Sequence, residues 1–404
     1  MKRRSFIVKG GLVSTGILTS SRVIAGISKN IKANQTIQIG VIGIGDRGAG
    51  LIPFLNEIEG LHVAACCDVL PFRLENGIKK AGNQAIAYAD YHKLLENKNI
   101  DAVLIATPFN THSQIAIEAL DAGKHVYCEK TMAKGFTGIE NLVQKASKSD
   151  KIFQTGHQYH SSRLYRHVVE MIKSGEIGEI AAFECQWNRN GNWRRPLPDP
   201  SLERAINWRM YREYSGGMAA ELCSHQIDFI SWVLNENPKK ILGVGGIDFW
   251  KDGRETYDNI HLLFEYPSGV KATFVCLTNN SLEDYQIKVL GSKGTIFLGY
   301  TKAWVSYEKG FEKEIANVDG VSGATANYIA QKGHPISVNH LDPSKQALID
   351  FRDNIYENKL PISNIFTGAN TAVAVQMSLD AMIKSEIQYW KEKNIYSPKL
   401  TSKS

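Results

Sequence analysis

A chain of 404 residues with 43% hydrophobic and 22% charged side chains is long enough to bury more than one core, so a globular protein of two domains is the expected organisation. Its 34 glycines and 12 prolines are spread along the chain and aromatic residues make up 9% of it, which excludes collagen-like, mucin-like and wholly disordered readings. The formal charge of +6 would suggest a polyanionic partner only if the excess lay on a folded surface. Lys2, Arg3, Arg4, Lys9 and Arg22 supply five of the 47 basic residues in a stretch without acids, and the remaining 42 balance 41 acidic residues, so no nucleic-acid partner is expected.

In residues 1–25, Arg3-Arg4 precedes Phe6-Ile7, a mild apolar stretch runs from Gly10 to Leu18, and small residues close the segment at Val23-Ile24-Ala25. This reads as a twin-arginine export signal cleaved near Ala25, the alternative being a flexible basic start to a cytosolic protein. The stretch is well short of the roughly 20 apolar residues that a spanning helix needs, no cysteine follows it to carry a lipid, and no later segment is long and apolar enough to cross a bilayer. The expected mature protein is periplasmic and soluble, without a membrane anchor. Twin-arginine export carries folded proteins, which suits a protein that takes up a cofactor in the cytoplasm. Cys66, Cys67, Cys128, Cys185, Cys223 and Cys276 lie in or beside apolar runs and are expected to be buried small hydrophobes rather than a disulfide framework. No Cys-x-x-Cys or His-x-x-x-His pair suits a metal, and none is expected.

Ile37–Ile42 is a short β-branched run followed at once by Gly43-Ile44-Gly45-Asp46-Arg47-Gly48 and then a helical pattern through Leu51, Leu55 and Ile58. In a strand, glycine turn and helix of this kind, Gly43 makes the tight turn, Gly45 lets backbone approach a pyrophosphate, and Gly48 lets the helix pack on the strand. A second strand, Leu61 to Cys67, ends in Asp68, where a carboxylate can accept from both ribose hydroxyls and would repel a 2′-phosphate. NAD is therefore expected, with NADP disfavoured but not excluded, since Arg73 is near. Ile100–Ala106 reads as a buried strand broken by Thr107-Pro108 before a helix that carries His112, and His125–Cys128 as another ending in Glu129-Lys130. Alternating strands and helices over residues 36–155 predict a doubly wound parallel sheet, with ligands beyond the carboxyl ends of its strands.

Residues 156–395 change period. A helix from Ser162 to Lys173 feeds the strand Ile180–Trp187, and strands then dominate at 241–250, 257–266, 270–278 and 285–298 before helices return from about Ser344. This predicts an α+β domain built on an open, largely antiparallel sheet with one face covered.

The glycine turn, Ala106-Thr107-Pro108 with His112, Glu129-Lys130, Ser174-Gly175-Glu176-Ile177-Gly178, and Gly216-Gly217 leading to His225-Gln226-Ile227-Asp228 closely resemble the Gfo/Idh/MocA oxidoreductases over roughly residues 36 to 390. The resemblance implies an N-terminal Rossmann domain that binds a nicotinamide cofactor, a C-terminal domain whose open sheet supports a homo-oligomer, and sugars or cyclitols as usual substrates. The cofactor residues it implies are Gly43, Ile44, Gly45, Asp46, Arg47, Gly48, Asp68, Arg73, Thr107, Pro108, His112, Glu129 and Lys130. Lys130 matches the family's strand-end lysine, His225 its histidine, and Glu221 stands where many members have aspartate. Residues 221 and 225 are one helical turn apart, so their side chains can converge on one hydroxyl. An imidazole titrating near neutrality suits the base that alcohol oxidation requires. His225 is read as that base, Lys130 as the group that holds the substrate oxygen, and Glu221 as orienting the imidazole or a second hydroxyl. The sequence departs from the family at Thr131, where a proline is common, and at Phe109, Glu221 and Cys223.

For the substrate, Gln158, Tyr159 and His160, the segment from Trp187 to Arg195 with Trp193 and Arg194, and Asp228 supply aromatic faces and hydrogen-bonding groups suited to a polyol. Arg163, Tyr165, Trp208, Arg209 and Tyr211 are weaker candidates. Three functions fit: an exported NAD-dependent dehydrogenase of a sugar, glycoside or cyclitol with a retained cofactor, an NAD-dependent glycoside hydrolase acting by transient oxidation and elimination, and a non-catalytic sugar-binding protein. The presence of Lys130 and His225 favours the first.

Overall fold

The β-branched run at Ile37–Ile42 forms strand β1, and both of its faces are covered, as its near-continuous apolar sequence requires. A computed structural model describes residues 35–82, 84–311 and 333–398, so residues 1–25, read above as an export signal, lie outside the described residues. Around β1 assemble β2 (Leu61–Cys67), β3 (Ile86–Tyr88), β4 (Ala102–Ile105), β5 (His125–Cys128) and β6 (Phe153–Thr155), all parallel and in the order β3-β2-β1-β4-β5-β6. Helices α1 (Asp46–Glu57), α2 (Pro71–Ala81), α3 (Tyr91–Glu96), α4 (His112–Asp121) and α5 (Phe136–Ser147) make the connections. The strand order reverses between β1 and β4, opening a crevice at their carboxyl ends. The predicted doubly wound sheet is thus present, with two short strands, β3 and β6, that sequence alone did not distinguish.

Helix α6 (Arg163–Lys173), started by the Ser162 side chain accepting from the Tyr165 amide, leads into the second sheet. Its nine strands are β7 (Ile180–Asn190), β8 (Lys240–Gly246), β9 (Asn259–Glu265), β10 (Lys271–Leu277), β11 (Asn279–Gly291), β12 (Gly294–Leu298), β13 (Ala303–Tyr307), β14 (His334–Ile336) and β15 (Gln388–Tyr389). They lie in the order β14-β13-β12-β11-β7-β10-β9-β8-β15. Only the central β7–β10 pair is parallel. Alternation does the expected work: Ile260, Leu262 and Phe264 on β9 and Ala272, Phe274 and Cys276 on β10 point into the core while His261 and Leu263 face outward. The covered face packs on the helices Ser224–Leu234 and Ile365–Lys384, and the latter also touches α5, so it joins the two sheets.

One element crosses the boundary expected from sequence. The helix Pro343–Glu357 belongs by position to the second half, yet Ala347, Leu348, Phe351 and Ile355 pack into the core of the first sheet, with Phe351 edge-on to Tyr127 at 5.7 Å. All six cysteines are buried free thiols. Among the described residues no helix is long and apolar enough to cross a membrane.

Since Phe351 is almost wholly buried and is supplied by a distant segment, Phe351→Ala should lower the stability of the nucleotide-binding half by about 3–5 kcal/mol. Calorimetry should show an earlier unfolding transition that NADH addition partly restores.

Candidate active site

The crevice of the first sheet and the covered face of the second enclose a cavity of about 880 Å³. At its nucleotide end Gly43 has φ +89, and a Cβ there would stand 2.7 Å from the backbone of Ala106, so only glycine fits the turn. Gly45 precedes α1 and faces open space, its nearest neighbour being an Arg73 nitrogen 3.8 Å from where a Cβ would lie. Backbone can therefore approach an anion at the N-terminus of α1. Gly48 does not face the cavity; it packs against the Gly43 carbonyl and holds the helix on the turn.

Asp68 ties this turn to β2, accepting from the Ile44 amide at 2.7 Å and the Leu70 amide at 2.8 Å. Each carboxylate oxygen accepts only one of these bonds and can accept another, and Asp68 lines the cavity, as binding a ribose diol needs. Asp46, Arg47, Thr107 and Pro108 also line the cavity. Arg47 Nε donates to Glu129 at 2.7 Å and its Nη1 to Ser344 at 3.0 Å, so Glu129 is occupied in orienting Arg47. The His112 ring bridges the Thr107 and Thr131 carbonyls, each at 2.9 Å, and so fixes two strand-end loops beneath the cofactor region. Turn, helix terminus and ribose carboxylate together fit NAD.

Lys130, at the end of β5, reaches into the second domain. Its ammonium donates to the Glu221 carbonyl at 2.6 Å and lies 3.4 Å from that of Ala220. Those carbonyls belong to a wide π-type turn, Ala219–Cys223, that runs into Ser224–Leu234. Such turns break the regular helical ladder and recur at functional sites. The Lys130–Thr131 peptide is cis, although no proline follows the lysine.

His225 lines the same cavity, 5% exposed, among Tyr159 (ring centroids 5.1 Å apart), His157 (5.7 Å) and Trp187 (5.8 Å). Burial, reinforced by the charge of Lys130, holds its pKa well below the ordinary histidine value, so the ring is neutral at pH 7. Burial likewise lowers the Lys130 ammonium, although Glu221 and Glu129 oppose it. Glu221 does not orient the imidazole as expected: Arg209 Nε donates to its Oε2 at 2.9 Å. Burial would push the Glu221 carboxyl up, but Arg209 and Lys130 outweigh it and keep the group ionised.

Of the substrate residues expected from sequence, Gln158 and Trp193 line the cavity, the Gln158 Oε1 buried without a hydrogen-bond partner. Tyr159 stands behind His225, stacked on Tyr165 at 4.3 Å. His160 and Asp228 form a buried pair at 2.8 Å, with Thr371 donating to Asp228, one layer behind the wall. Arg194 turns away to Glu203 and Asp252. Arg189, Arg195, Trp187, Trp208 and Arg209 line the cavity in its place, as do Tyr91 and Tyr214, which no sequence pattern had singled out. Among the described residues no group of three or more His, Cys, Asp or Glu side chains could hold a metal.

A parallel sheet with a dinucleotide turn, facing a second sheet that completes the cavity, defines a nucleotide-dependent oxidoreductase. Residues 37–157 match the oxidoreductase family with an NAD-binding Rossmann fold, and residues 165–297 match the GFO/IDH/MocA C-terminal domain. The chain belongs to the Gfo/Idh/MocA oxidoreductases, and its cofactor is NAD. It is 29% identical over 270 residues to myo-inositol 2-dehydrogenase of Thermotoga maritima, covering 65% of this chain and 75% of that one. It is 28% identical over 264 residues to 2,7-anhydro-N-acetylneuraminate hydratase of Escherichia coli, covering 64% and 67%. A levoglucosan dehydrogenase solved with NADH and levoglucosan has the same fold, with a TM-score of 0.71 at 17% identity over 88% of this chain and 99% of that one.

Asp68→Asn keeps the shape of the ribose site and removes its charge. NADH affinity should fall about tenfold and the preference for NADH over NADPH should narrow by at least as much, read by nucleotide fluorescence titration. An unchanged preference would mean that Asp68 does not face the ribose.

Proposed function

We propose that this protein is an exported NAD-dependent dehydrogenase of a sugar, glycoside or cyclitol hydroxyl, with His225 as base and Lys130 on the substrate oxygen. The observation that carries the reading is the convergence of Lys130 and His225, from different domains, on the cavity that the glycine turn and Asp68 also line. Lys130 already uses hydrogen bonds to carbonyls to fix its position, and among the described residues no carboxylate neutralises it by direct contact. Its ammonium can therefore hold the carbinol oxygen and stabilise alkoxide character as the proton leaves. The neutral His225 ring accepts that proton. Glu221, paired with Arg209, holds the neighbouring turn and offers a carboxylate oxygen to a second hydroxyl. Arg47 and Asp68 would hold the dinucleotide, which when bound would supply a hydride acceptor for the carbinol carbon. Substrate loses two hydrogens, one as proton and one as hydride.

Export through the segment led by Arg3-Arg4 is part of this proposal, and it requires a cofactor that travels with the folded protein and is recycled in place. Pairing through the open face of the second sheet is the expected route to an oligomer. A second reading is favoured by the likeness to a hydratase: oxidation at one carbon acidifies its neighbour, elimination and addition of water follow, and reduction restores the cofactor, so no net redox change results.

His225→Ala should reduce kcat by a factor of about 10² to 10⁴, and Lys130→Ala should do so comparably, followed as NADH formation with a sugar panel. Retained turnover in both variants would reject the site. Because the base is the neutral ring and its pKa lies well below 6.5, the rate should hold as pH falls to 6.5 and decline only in more acidic buffer. Because Lys130 must stay charged and its pKa is lowered from 10.5, the alkaline decline should begin below pH 10.5. Mass spectrometry of the products separates the two chemistries: an uncleaved product lighter by two hydrogens marks a dehydrogenase, whereas a hydrated or cleaved product of unchanged oxidation state marks the second reading.

A further inference from the structure

Most cations on the cavity wall are neutralised. Arg47 pairs with Glu129 at 2.7 Å, Arg195 with Asp46 at 2.8 Å and Arg209 with Glu221 at 2.9 Å, while Arg73 stands beside Gly45 at the nucleotide turn. Arg189 is different. It continues the alternation of β7 beyond the inward-facing Phe183, Cys185 and Trp187, so its guanidinium emerges on the cavity side of the strand. There it lies between two indoles, its central carbon 5.6 Å from the Trp187 ring and 5.5 Å from the Trp193 ring. Among the described residues it makes no ion pair with any carboxylate. Its nearby polar partner is the Tyr300 hydroxyl, which also feels Asp284, and Asp284 does not line the cavity.

The aromatic walls restrict the guanidinium, and its five N–H donors exceed the one bond to the Tyr300 hydroxyl, so a bidentate anion suits it better than a neutral hydroxyl. The clamp is built in advance. Trp193 is held at φ +64, a conformation unusual for a bulky residue, and its loop is pinned by Arg194 on Asp252 at 3.0 Å, by the Arg195 amide on Asn207 at 2.7 Å and by Arg254 on the Asn192 carbonyl at 2.8 Å. Trp187 touches both His225 and Arg189, so the guanidinium stands one ring's breadth beyond the catalytic histidine. Glu221 on the same cavity wall is already paired with Arg209, which offsets its repulsion of an anion.

Resting on the dehydrogenase reading, we propose that the substrate is an acidic sugar whose carboxylate is held by Arg189 between Trp187 and Trp193 while the hydroxyl to be oxidised lies at Lys130 and His225. The test is calorimetric titration of the protein loaded with NADH, a form that cannot oxidise an alcohol, with D-glucuronate and D-galacturonate, each against its methyl ester. At least one acid should bind about tenfold or more tightly than its ester at low salt, and the gap should shrink as salt is added. Arg189→Gln should abolish the gap and Arg189→Lys should restore part of it, with NADH affinity unchanged in both. Equal binding of acid and ester by the unaltered protein, or no binding of either, overturns the proposal. So does a loss of NADH affinity in Arg189→Gln, which would assign the guanidinium to the cofactor. Failure of the dehydrogenase reading is distinguishable: the acid would then bind selectively to the NADH form, yet no NADH would appear when NAD replaces it.

Discussion

The arrangement of the active site depends on one ammonium group crossing between two domains. Lys130 leaves the edge of the parallel sheet and is held by the carbonyls of Ala220 and Glu221, which also receive support from Thr131 Oγ1 and Ser224 Oγ at Ala220. Taking an ammonium out of water is costly unless its protons are satisfied, and carbonyl oxygens satisfy them without cancelling the charge. A carboxylate in direct contact would have stabilised the group more and left it less able to stabilise a developing alkoxide. The same contacts fix the start of the Ser224–Leu234 helix, so the lysine determines where His225 points. The start of the Ser224–Leu234 helix, the His225 ring and the end of β5 are therefore registered against one another through a single side chain.

The electrostatics of the wall follow from burial competing with charge. Burial lowers both Lys130 and His225, and the Lys130 charge lowers His225 further. Lys130 starts from a much higher intrinsic pKa and has two carboxylates to support it, so it stays charged while the imidazole gives up its proton. His157, pushed down to about 4 by burial, adds a second neutral ring beside His225 rather than a competing charge. Asp228 would be raised by burial, but His160 and His157 lower it, and its ionised carboxylate behind the wall leans on His160 rather than on His225. Division of labour between a charged donor and a neutral acceptor is thus set by intrinsic pKa and by which residues the acids touch.

How much of this was legible in the sequence depended on whether local spacing carried the information. The glycines at 43, 45 and 48 and the acid at 68 could be read because each answers a local backbone or ribose requirement within one strand–turn–helix unit. The helix Pro343–Glu357 could be read as half-buried from its apolar stripe, but an apolar stripe does not say which sheet covers it, and tertiary packing gave it to the first. Residues 221, 225 and 228 share a face on a regular helix, which is why Asp228 was expected in the site. Only Glu221 lies in the π-type turn at Ala219–Cys223; His225 and Asp228 share the regular helix after it, where Glu221 and His225 line the cavity while Asp228 meets His160 one layer back.

The same limit separates Arg194 from its neighbours. Composition made the segment from Trp187 to Arg195 a candidate sugar site without ordering its arginines, since each has the same chemistry. The period-two alternation of β7 contained more: Phe183, Cys185 and Trp187 face inward, and Arg189 is next in that series. Beyond Asn190 the strand ends and alternation carries no information, so the fate of Arg194 is decided by Glu203 and Asp252, contributed from distant loops. A half-buried charge that continues an inward-facing strand pattern without a carboxylate partner among the described residues is a departure from what packing alone would select, since desolvating an uncompensated cation is costly. The aromatic faces of Trp187 and Trp193 and the Tyr300 hydroxyl lessen that cost without neutralising the charge, and Arg189 remains on the cavity wall.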